Sequence, residues 1–202
     1  MTPAPTLWIG ADPGGRGNFG IAILTGEEEP QTASVGCADE ALDFVRTHVH
    51  HLPAGVGVDA PLWWSSGPSG DRHADQWLRQ TYRLGGGQVQ AANSLRGAAL
   101  VQGLMFVQRI REAYPGVQVT ESHPTALLNA LMRNDWATFS ARFHVNFIPR
   151  NQHERDAIIA AVTAREAFTG NWTHDLGKTR LAGEQDPGQY WLAPVYYYWP
   201  EP

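Results

Sequence analysis

The chain has 202 residues, with 15 Lys or Arg against 20 Asp or Glu and a formal net charge of −5. That length suits one domain and excludes a fold of two full-sized lobes. With 43% apolar and 17% charged residues the composition is globular, and the acidic balance excludes a basic nucleic-acid coat protein while leaving room for a local basic groove.

In chain order, Thr6 to Asp12 alternates Leu7, Ile9 and Ala11 against Trp8, Gly10 and Asp12, a strand that ends on an acid. Pro13 to Gly17 is turn chemistry, and the apolar run Phe19 to Leu24 is the second strand of a hairpin. Thr32 to Cys37 is a weaker third strand. Asp39 is placed to cap a helix in which Ala41, Leu42, Val45, Val49 and Leu52 recur at helical spacing. Val56 to Ala60 is a fourth strand halted by Pro61. Residues 61 to 73 are a loop carrying Trp63 and Trp64, and Ala74 to Leu84 forms a helix stopped by three glycines. Leu95 to Tyr114 is apolar nearly all round, as a helix buried against a sheet must be. Val117 to Ser122 is a fifth strand, Pro124 opens the helix Thr125 to Arg133, and Glu154 to Phe168 is an Ala-rich last helix. The tail from Asn171 is rich in Trp, Tyr and Pro and reads as extended or irregular.

Three strands, a helix, a strand, helices, a strand and helices define an α/β fold. Its mixed five-stranded sheet is a three-stranded antiparallel meander plus two strands parallel to the first, flanked by helices. We expect one domain over residues 1–202, with a core at about 6–169 and residues 170–202 packed on it as an aromatic, Pro-rich extension.

Four acids fall at element ends or beginnings: Asp12 after the first strand, Asp59 at the end of the fourth, Glu121 at the end of the fifth, and Asp156 in the first turn of the last helix. Adjacent parallel strands bring the first three to one sheet edge, where open α/β sheets keep their sites, and Asp156 closes the set from above. Grouped carboxylates repel unless cations lie between them, and hard divalent ions such as Mg2+ take oxygen ligands. Two such ions clamp the attacking and leaving oxygens of a phosphodiester. Each acid taken singly is equally readable as a turn former or helix cap.

The segments IGADPGGRGNFGIAIL, VGVDAPL, ESHPTALLNAL and ERDAIIAAVTARE resemble blocks of the domain of unknown function 429 family, predicted nucleases of ribonuclease H-like fold. The resemblance covers about residues 7 to 168 and extends weakly to YWLAP near the end. It implies a metal-dependent nuclease binding Mg2+ or Mn2+ through Asp12, Asp59, Glu121 and Asp156, with His123 in the Glu-x-His-Pro block assisting catalysis. It also implies substrate contacts at Arg72, Asp75 and Arg79, and DNA or RNA as partner. The sequence departs from that pattern at Thr125, where relatives carry an acid, and at His153, Glu154 and Arg155, where they carry paired acids; fewer acids imply weaker metal binding or one metal only.

Other signals point elsewhere. Gly15, Gly17 and Gly20 spell a GxGxxG, but the chain continues as a strand and opens no helix onto a pyrophosphate, so no nucleotide cofactor is expected. Trp63 and Trp64 beside Asp59 offer surface for base stacking or pack on the domain. Cys37 is the only cysteine, which excludes a disulfide framework and fits a reducing, cytoplasmic setting. The start lacks the charged and apolar regions of a leader, and the longest uncharged run is too short and proline-broken to span a bilayer. Two rival readings remain: a non-catalytic module binding nucleic acid or protein, and a phosphatase acting on small phosphate esters.

Overall fold

A computed structural model describes residues 6–26, 28–185 and 194–201. Its elements in chain order are β1 (Leu7–Asp12), β2 (Phe19–Thr25), β3 (Gln31–Val35), α1 (Ala38–His48), β4 (Gly55–Val58), α2 (His73–Tyr82) and α3 (Gly97–Ala113). After them come β5 (Val119–Glu121), α4 (Pro124–Leu131), α5 (Trp136–Phe143), α6 (Gln152–Phe168), β6 (His174–Asp175), β7 (Val195–Tyr196) and β8 (Tyr198–Trp199). Tyr190 to Ala193 of the YWLAP block lie outside the described residues.

The main sheet runs β3-β2-β1-β4-β5-β7. The meander β1-β2-β3 is antiparallel, and β4, β5 and β7 follow parallel to β1. The expected five-strand order is therefore present, extended by a sixth strand. That strand has two residues in a tail dense in proline and tyrosine, too short for alternation to show. The first helix also differs from expectation at its start: Cys37 is the N-cap and Asp39 lies in the first turn, where it pairs with Arg109 at 2.9 Å.

The sheet edge that matters is fixed by α6. This helix is buried over most of its length and lies across β1, β2 and β4. The approach is close because small residues face each other: a β-carbon on Gly10 would lie 1.9 Å from the Ala157 carbonyl oxygen, and one on Gly57 would lie 1.9 Å from that of Ala160. The opposite face is covered by α1 and α3, which pack on each other. Trp172, Leu176, Tyr197 and Trp199 from the tail belong to the same buried cluster as Ile9, Val56 and Ile158. Among the described residues no helix is long and apolar enough to cross a membrane.

Candidate active site

The strand register decides which acids meet. In a strand successive side chains point to opposite faces, and Ala11, Val58 and Glu121 are cross-strand partners in one row. The next row holds Asp12, Asp59 and Ser122, continued by Asp59 N–H to Ala11 O and Ser122 N–H to Val58 O, both 2.8 Å. This row shares parity with Gly10 and Gly57, so it faces α6; Ser122 Oγ indeed lies 3.0 Å from Thr163 Oγ1 on that helix. Asp12 and Asp59 thus sit beneath the start of α6, where Asp156 joins them; the helix begins at Gln152, so Asp156 follows its first turn and does not lie in it as expected. Glu121 points through the other face.

On the α6 side, His153 Nδ1 lies 2.7 Å from Asp12 Oδ2, and Arg155 Nε donates to Asp156 Oδ1 at 2.9 Å. Gly20 makes room here as well, since a β-carbon on it would lie 2.0 Å from the His153 carbonyl oxygen. The Asp59 carboxylate accepts no hydrogen bond among the described residues. Burial pushes the Asp12 carboxyl up to about 6, against the lowering effect of the His153 hydrogen bond. Burial and the charges of Asp12, Asp156 and Glu121 drive Asp59 well above the carboxylate range, and burial raises Asp156. The Asp12 contact in turn raises His153.

On the other face Glu121 enters a buried ion network. Arg72 Nη2 and Nη1 donate to its Oε1 and Oε2 at 2.6 and 2.8 Å, and Leu62 N–H donates to Oε2 at 2.9 Å. The same guanidinium donates to both oxygens of Asp75, from Nε at 3.0 Å and Nη2 at 2.8 Å, and stacks 4.4 Å from the Trp63 ring centre. One cation shared by two carboxylates leaves a net negative triad. Burial keeps Glu121 raised despite Arg72, whereas Arg72 outweighs burial at Asp75 and holds it low. Burial opposes the charge on Arg72, but Glu121 and Asp75 keep its pKa well above normal. Arg79 lies outside this network, bridging to Asp71 at 2.7 Å and donating to Val89 O at 3.1 Å.

Between the two faces runs a cleft of about 230 Å³ lined by Asp12, Asp59, Arg72, Asp75, Glu121 and His123, among others. His123 is the N-cap residue of α4. Burial lowers its pKa to about 4, so the ring is neutral at pH 7, and its Nδ1 is buried without a partner among the described residues. Asp12, Asp59, Asp156, Glu121, His123, Arg72 and Asp75 are expected from the sequence and meet here, whereas His153 and Arg155 stand out in the sequence only as departures from paired acids; their place in the first turn of α6, just before Asp156, is the signal that points to them.

Asp12, Asp59 and Asp156 offer oxygen donors alone, the chemistry of a hard divalent cation, and the Asp59 carboxylate is unengaged among the described residues. Among the described residues no group of three or more His, Cys, Asp or Glu forms a ready ligand cage; His153 and Arg155 each hold one of the oxygens an ion would need. The donor set fits Mg2+ or Mn2+ once those two side chains yield.

The strand order and directions define a ribonuclease H-like α/β fold with one added edge strand. The chain is similar to the structure of Thermus thermophilus RuvC, at 16% identity and a TM-score of 0.44 over 82% of this chain and 96% of that one. No family model and no curated protein matches the chain, so the likeness to the domain of unknown function 429 family remains a resemblance of sequence blocks.

Proposed function

We propose that the chain is a divalent-metal-dependent nuclease or phosphodiesterase that binds Mg2+ or Mn2+ and hydrolyses a DNA or RNA phosphodiester. The observation that carries this reading is the proximity of Asp12, Asp59 and Asp156, with Asp12 and Asp59 on the cleft wall, the charge of Asp156 acting on both, and Asp59 accepting no hydrogen bond among the described residues. Burial raises all three carboxyls, Asp156 also raises Asp12, and both raise Asp59, a grouping that is costly unless a cation joins it. Asp12, Asp59 and Asp156 would hold the ion, which when bound supplies Lewis-acid polarisation of a phosphoryl oxygen.

The chain's own residues account for the remaining tasks. His153 orients the Asp12 carboxylate through their 2.7 Å contact. His123, neutral at pH 7 and on the cleft wall, is suited to orient a substrate group or water as a neutral hydrogen-bond partner. Arg72 and Asp75 set the wall opposite α6, and Arg79 holds the segment leading to Val89 at the rim.

The test is to incubate the protein with Mn2+ or Mg2+ and single-stranded, duplex and branched nucleic acids, alongside a generic phosphate ester. Cleavage lost on chelation and in Asp12→Asn is the expected result. Full-rate cleavage by Asp12→Asn overturns the site, and turnover of the ester with none of the polymers makes the protein a small-ester phosphatase. One observation favours a non-catalytic binding module: His153 and Arg155 already partner two of the three acids. Nucleic-acid binding with no metal-linked rise in melting temperature would select that reading.

A further inference from the structure

We infer that Glu121, although it ends a parallel strand beside the acid cluster, is a positioning residue clamped by Arg72 and not a metal ligand, so that the ion-binding set is Asp12, Asp59 and Asp156. This deepens the metal-dependent reading above and rests on it.

Two independent observations carry the assignment. The first is the register. Glu121 shares its row with Ala11 and Val58, while Asp12 and Asp59 share theirs with Ser122; period-two alternation sends Glu121 through the face opposite the other acids. The position on the α6 face where the fifth strand could have supplied a ligand is Ser122, and its hydroxyl is engaged with Thr163. The second is occupancy. Both Glu121 oxygens accept from Arg72 and one also accepts from Leu62 N–H, with side-chain exposures of only 1% for Arg72 and 3% for Glu121. A two-pronged guanidinium contact of this kind is strong and directional.

The Arg72 end of the clamp is held just as firmly. Asp75 takes two of its nitrogens and Trp63 covers its face. Trp63 is itself fixed from its other neighbours: its Nε1 donates to Glu184 at 2.9 Å, and Arg180 lies 4.7 Å from its ring centre. Releasing Glu121 toward an ion would leave Arg72 buried beside Asp75 alone and abandon the Leu62 N–H. By contrast Arg155 and His153 are 28% and 33% exposed, so they can swing into water and free Asp156 and Asp12. The cluster therefore opens on the α6 side and stays shut on the Glu121 side. Glu121 acts through Arg72 and Leu62 to hold the segment after Pro61 as the cleft wall.

The experiment is Mn2+ titration of the full chain by calorimetry, with electron paramagnetic resonance to count bound ions. Glu121→Gln is expected to keep the stoichiometry of the unaltered chain and change the Kd by less than about threefold, because Glu121 gives no oxygen to the ion and points through the opposite face of the sheet. Asp59→Asn is expected to lose about tenfold or more. The Gln variant preserves an acceptor for Arg72 and Leu62 and leaves Arg72 and Asp75 as a neutral pair, and circular dichroism checks that it folds. Loss of a bound ion, or a fall in affinity of about tenfold or more, in folded Glu121→Gln would overturn the assignment while leaving the metal-dependent reading intact. No ion bound to the unaltered chain overturns both.

Discussion

Gly10 of β1 lies so close to Ala157 of α6 that a β-carbon on the glycine would come within 1.9 Å of the helix carbonyl oxygen. That contact sets the height of the helix above the sheet. It is also what brings Asp156, one residue before Ala157, over the end of the strand that carries Asp12. Gly10→Ala must push helix and strand apart, and we expect a loss of about 3 kcal/mol or more in urea unfolding. Mn2+ affinity should fall with it. An alanine variant as stable as the parent would show that the helix is free to shift.

Asp59 gives a prediction of opposite sign. Its carboxylate is partly buried among other acids and accepts no hydrogen bond among the described residues. Neutralising it removes repulsion that otherwise opposes folding. Asp59→Asn is expected to stabilise the metal-free protein at pH 7.5 by about 1 to 3 kcal/mol and to abolish stabilisation by Mn2+. The paired melting curves, with and without ion, decide it; destabilisation in the absence of ion would contradict the account.

The pH dependence follows from Asp12. Its pKa of about 6 in the folded chain lies above the ordinary 3.8. A raised carboxyl stabilises the fold fully below its unfolded value, and that stability is lost as pH rises through the folded value. Metal-free protein should therefore lose stability between about pH 4 and pH 6 through this group. His123 works against it: with its pKa lowered to about 4, its contribution is full above about 6.5 and is lost as pH falls toward 4. The comparison that isolates Asp12 is with Asp12→Asn, whose stability advantage should open by about 1 to 3 kcal/mol across that window. An advantage that is constant with pH would rule out the shift.

Arg72 should be far less dispensable than the acid it holds. Removing it leaves Glu121 and Asp75 buried with no shared cation, and Arg72→Met is expected to cost about 3 to 5 kcal/mol. Glu121→Gln retains the neutral pair of Arg72 and Asp75 and should cost much less. Chemical denaturation of the two variants side by side tests the ranking, and equal losses would refute it.

Most of the sheet could be read from residues. β1, β2 and β4 announce themselves through alternation or short apolar runs bounded by turns, and α6 through its alanines. The acids were legible because strand ends and helix starts collect them. What escaped reading depended on partners distant in sequence. Glu121 and Arg72 are 49 positions apart, and no local period relates them. The face to which Glu121 belongs depended on a register that only pairing with Val58 fixes. α5 is a different case, since its signals were present: Asp135 caps it by accepting from Thr138 N–H at 2.8 Å, and Phe139 and Phe143 lie one turn apart on its buried side.

Glu184, which receives hydrogen bonds from Trp63 Nε1 and the backbone N–H groups of His73 and Leu181, has a consequence for biosynthesis. A ribosome delivers the chain from its amino end, so every acid of the cluster is made before Glu184, Tyr197 and Trp199 emerge. The nascent chain can lay α6 over β1 and β4, yet the wall that Trp63 and Arg72 build lacks its last anchors until the tail has left the exit tunnel. Completion of the cleft therefore waits on Glu184, Tyr197 and Trp199, all of them made after the acids that line it.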